Sequence, residues 1–92
     1  MKEIICNFNL YDLHQKIYMI DKENSHVKEL AVTTIENFPQ DIIDACRRED
    51  VYDIHLYGSK DYAEGIKQSI LTMANSGGLL FDKNKIMKIE VN

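Results

Sequence analysis

Asn7, Asn9, Gly58, Ser59 and Lys60 come nearest to a ligand-binding set in this 92-residue sequence. Gly58-Ser59-Lys60 stands between an apolar run and a helix-forming stretch. A helix that begins there turns free backbone N–H groups toward an anion, and Lys60 adds positive charge. The same residues also read as an ordinary helix start, with Ser59 as N-cap and Asp61 in the first turn. Both readings stay open. The three histidines make no catalytic pattern: His14 falls in a turn, His26 in a loop and His55 on a strand, with no serine or cysteine set beside a base. Cys6 and Cys46 lack metal-ligand spacing and read as small buried hydrophobes. The expectation is therefore no catalytic residue, no metal ligand set and no cofactor.

The elements that position these residues follow from periodicity. Residues 3–10 alternate, with Ile4, Cys6, Phe8 and Leu10 on one side and Glu3, Ile5, Asn7 and Asn9 on the other. A polar turn follows, and Lys16 to Ile20 alternates again, so residues 3–20 predict a hairpin. A third strand is expected at 27–35. Pro39 is tolerated only in the first turn of a helix, which places a helix from Asn37–Pro39 to about Glu49, with Phe38, Ile42, Ile43, Ala45 and Cys46 as its apolar stripe. Residues 51–58 predict a strand. The second helix starts at Ser59 with Tyr62, Ala63, Ile66, Ile70, Met73 and Ala74 facing the core, and Gly65 is expected to mark close packing on the sheet. The glycines at 77 and 78 end it, and a last strand covers 85–91.

The expected class is α+β: a single domain over 1–92 with a mixed five-stranded sheet, order β-β-β-α-β-α-β, and both helices on one face. Strands four and five, joined through a helix, are expected parallel. A chain of this length buries about 60–65% of its unfolded surface, so partner surface would help it. The net charge of −4 argues against nucleic acid, and Lys83, Lys85 and Lys88 read as a solvated strand end. No apolar run reaches membrane-span length and no signal-peptide core opens the chain, so a cytoplasmic protein is expected. Nine lysines against two arginines, twelve isoleucines and seven asparagines point to an AT-rich genome, that of a low-GC bacterium or a phage.

The hairpin "IICNFNLYDLHQKIYMID" and the strand–turn–helix "IHLYGSKDYAEGI" resemble the first half of the ribonuclease-H-like and actin-like ATPase superfamily. That resemblance implies an acid on the first strand that holds a metal or a phosphate-bound cation. Asn7 stands at the matching position, and a neutral amide is a poor ligand for a hard cation. Tyr57 and Gly58 stand where such nucleases place another acid. The resemblance therefore implies the fold without the two-metal chemistry.

With both helices on one side, the reverse of the sheet presents Ile5, Asn7, Asn9, Tyr18, Ile20, Asp53, His55, Tyr57, Ile86, Lys88 and Glu90. Aromatic and aliphatic groups among a few charges suit a protein contact, and a symmetric homodimer is the simplest form of it. The interface residues expected are Ile5, Tyr18, Ile20, His55, Tyr57, Ile86 and Lys88. The leading functional reading is a non-enzymatic binding or regulatory protein, a homodimer or the partner of another protein, of the kind a phage uses against a host defence system. The alternative is a binder of a small nucleotide at Asn7, Asn9, Gly58, Ser59 and Lys60. A residual ribonuclease-H-type nuclease is the third reading.

Overall fold

Alternating apolar residues bury one side of each opening strand. The computed structural model describes residues 1–9, 11–76 and 88–92, with backbone only at 74–76. Strand β1 (Lys2–Asn7) puts Ile4 and Cys6 into the core, and β2 (Gln15–Asp21) adds Ile17. The two are antiparallel, with Cys6 opposite Ile17 and Ile5 opposite Tyr18. Strand β3 (His26–Thr33) pairs antiparallel with β2. Its register steps from Ala31, opposite Ile17, to Glu29, opposite Tyr18, so Leu30 is the extra residue of a bulge. Leu30 and Ala31 consequently both pack against the core.

Helix α1 (Phe38–Glu49) begins after Asn37, with Pro39 in its first turn and Asp41 at the positive end of its dipole. It stops at Asp50, which takes the left-handed conformation (φ 54°, ψ 44°), and the Val51 N–H donates to the Cys46 carbonyl at 3.1 Å. The Thr33 hydroxyl donates to the Asp41 carboxylate and ties the end of β3 to that first turn. Strand β4 (Asp53–Tyr57) lies parallel to β1. Helix α2 (Lys60–Ser76) leads on, and β5 (Lys88–Val91) lies parallel to β4. The sheet order is β3-β2-β1-β4-β5.

Phe38, Ile42 and Cys46 of α1, Ala63, Ile66 and Ile70 of α2, and Ile4, Cys6, Ile17, Ile54 and Leu56 of the sheet form one buried cluster. Both helices thus cover the same face of a mixed five-stranded sheet, and the protein is α+β. The third strand ends at Thr33 rather than 35, and positions 85–87 of the expected last strand lie outside the described residues.

Two glycines behave differently. Gly58 has φ +145°, and a Cβ there would stand 2.6 Å from the Phe8 ring and 2.8 Å from the Phe8 carbonyl oxygen. Its absence lets the Phe8 ring sit edge-on to Phe38, with centroids 5.9 Å apart. Gly65 does not make the close packing expected of it. It is exposed, and a Cβ would meet nothing within 4 Å.

Candidate functional site

The pairing of β1 with β4 sets the chemistry of the opposite face, which is uncovered among the described residues. Ile5 lies beside His55, and the two-residue period puts Glu3 and Asp53 on the same face one step back along each strand. All three polar side chains are nearly buried there: Glu3 is 7% exposed, Asp53 8% and His55 7%. The Nε2 atom of His55 lies 2.6 Å from Glu3 Oε2 and 3.0 Å from Asp53 Oδ1. Yet neither His55 Nε2 nor Asp53 Oδ1 is in a properly aligned hydrogen bond. Three ligating atoms converge within 4.8 Å of one another.

Charged neighbours frame this cluster. Lys22 Nζ holds the other Glu3 oxygen, Oε1, at 2.9 Å. That contact draws the Glu3 carboxyl below its ordinary pKa, helped by His55 and opposed by burial, and it raises Lys22 in return. On the far side of the ring, Nδ1 of His55 faces Glu90 Oε2 at 3.8 Å, and Lys88 Nζ holds that same oxygen at 2.7 Å. Lys88 likewise holds the Glu90 carboxyl below its usual range.

The five residues expected to form a ligand site do not line one cleft. Asn7 and Asn9 line a cleft of ≈310 Å³ with Asp12, His14, Gln15, Lys16 and Tyr18. Gly58, Ser59 and Lys60 are not among the described residues that line it. Asn9 is engaged locally: its Oδ1 accepts from the Tyr11 N–H at 2.9 Å, and its own N–H donates to Gln15 Oε1 at 2.8 Å. The buried Gln15 amide also donates to the carbonyls of Asn9 and Asp12, so it organises the β1–β2 turn from inside. Ser59 gives its carbonyl to the Ala63 N–H at 2.8 Å, as the residue before a helix does.

The interface set fares differently. Ile5, Tyr18, Ile20, His55, Tyr57 and Lys88 all stand on the uncovered face, and Ile86 lies outside the described residues. Ile5, Tyr18 and Ile20 are half-buried, while Tyr57 is 39% exposed and Val27 and Val32 on the same face are 60% and 53% exposed.

What sequence reasoning missed is the meeting of Glu3 and Asp53 at His55. It sought an acid at position 7 and found an amide, so it assembled no converging carboxylates. The structure corrects this, because the carboxylates converge four residues earlier on β1, at the opposite end of the strand. Alternation alone puts Glu3 on the Ile5 side and Asp53 with His55, but only the β1–β4 register joins the two pairs. No family model matches this sequence, and no curated protein matches it.

Proposed function

We propose that this protein acts by binding rather than by covalent chemistry, and that its uncovered sheet face receives a second copy of the chain. The observation that carries this is the make-up of that face. Half-buried Ile5, Tyr18 and Ile20 lie at its middle strands, with Tyr57, Val27 and Val32 exposed around them. Charges of both signs accompany them, with Lys16 paired to Glu29 at 3.4 Å, Lys22 to Glu3 and Lys88 to Glu90. An apolar centre among balanced charges is complementary to itself across a two-fold axis.

Size agrees. The molecule measures 32 × 29 × 20 Å, so the broad face offers on the order of 800 Å² per partner, the area of a standard specific interface. A regulatory role against another protein extends this reading, with the dimer as the binding unit. A small nucleotide is less well supported, because Asn9 is committed to its own turn and Gly58–Lys60 lies outside the cleft that Asn7 lines.

Light scattering after size exclusion tests the reading. The wild-type chain of 10.7 kDa is expected to elute with the mass of two copies. Tyr18→Asp and Tyr57→Asp each put a charge on the face without touching the helix-side core, and each is expected to yield single chains. A wild type of one-chain mass overturns the proposal.

A further inference from the structure

We propose that Glu3, Asp53 and His55 form a binding site for one divalent transition-metal ion of the zinc type. The cluster leaves a polar need unmet that an ion would meet. Two carboxylate oxygens approach one imidazole nitrogen, and a single N–H cannot point at both. His55 Nε2 and Asp53 Oδ1 are fully buried, face each other at 3.0 Å and lack hydrogen-bond alignment. Buried polar atoms of this kind are rare and costly unless something satisfies them. A cation bonds all three ligands at once and offsets the repulsion between the acids.

The spacing suits such an ion. Ligands about 2.1 Å from a metal are separated by roughly 3.0–3.4 Å along the edges of octahedral or tetrahedral geometry. The 3.0 Å from His55 to Asp53 already matches, and Glu3 Oε2, at 2.6 Å on a flexible side chain, has to withdraw by a few tenths of an ångström. Surrounding groups are placed as a metal site's supports are. Glu90 Oε2 stands on the Nδ1 side of the ring at 3.8 Å, where a small side-chain shift lets it accept the Nδ1 proton once an ion takes the place of the proton on Nε2. Lys22 occupies Glu3 Oε1 and leaves Oε2 for the ion. One imidazole with two carboxylates favours Zn²⁺ and its first-row neighbours over Mg²⁺ or Ca²⁺, which take all-oxygen sets.

The inference stands apart from the dimer, because uptake is counted per chain whatever the mass of the assembly. Isothermal titration of the 92-residue chain with Zn²⁺ is expected to show one ion per chain. Asp53→Asn and His55→Gln, near in shape to the native side chains, are expected to weaken binding about tenfold or more, and Glu90→Gln by a smaller factor. His26→Ala, on the edge strand away from the cluster, is expected to bind as wild type does. Zn²⁺ should also raise the melting temperature of wild type, and raise that of Asp53→Asn by less at the same concentration. Absence of saturable uptake by wild type overturns the proposal, as does full-affinity binding by both Asp53→Asn and His55→Gln.

Discussion

Glu3 Oε2 lies 2.6 Å from His55 Nε2 across the seam between β1 and β4, and both side chains are over nine-tenths buried. The imidazole therefore stands between Glu3 and Asp53 on the uncovered face. Removing it would leave two poorly solvated carboxylates facing each other. His55→Ala, measured by urea unfolding in the presence of a chelator, is expected to cost about 3 kcal/mol. Adding Glu3→Gln to that variant should recover part of the loss, because only one acid then remains without its partner. Costs that simply add would show that the three groups are not coupled.

The two described glycines give opposite predictions. Gly65 is exposed in mid-helix with open space at its Cβ position, so Gly65→Ala is expected to stabilise the protein by about 0.5–1 kcal/mol. Gly58→Ala forces a side chain onto φ +145° and into the Phe8 ring and carbonyl, and is expected to destabilise by about 2 kcal/mol or more. Thermal unfolding of both variants checks the pair. Equal effects of the same sign would contradict the packing described.

These glycines also show what the sequence could convey. Gly58 between a strand and a helix was readable as a boundary, because the change from period two to period three-to-four falls on it. Gly65 misled, since a glycine in a helix is equally compatible with a close contact and with open solvent, and one-dimensional pattern does not separate them. The hairpin, the Pro39 helix start and the core stripe were legible for the same reason as Gly58: each is dictated within a few residues. The Glu3–Asp53–His55 cluster was not, because it depends on the register between strands about fifty residues apart. Gln15 was missed too, and its burial follows from a turn that wraps its amide rather than from any local pattern.

The β2–β3 turn carries a pH prediction. Asp21 accepts from the Asn24 side chain at 2.8 Å and from the Glu23 N–H at 3.2 Å, and these bonds, that of Asn24 first, hold its carboxyl below the ordinary value. A folded-state pKa below the unfolded one means stability that is present above the unfolded pKa and lost as pH falls through the folded one. Carboxyl-carbon NMR should therefore show Asp21 titrating lower than a free aspartate, and Asn24→Ala should move it back up. A titration unchanged by Asn24→Ala would contradict the assignment.

The central claim is that the uncovered sheet face meets a second copy of this chain. Isotope-filtered NOE spectroscopy on a mixture of labelled and unlabelled protein reads that contact directly. The account predicts intermolecular NOEs from the rings of Tyr18 and Tyr57 and from the methyl groups of Ile5 and Ile20. Intermolecular NOEs confined to α1 and α2, or none at a concentration where light scattering gives two copies, would contradict it.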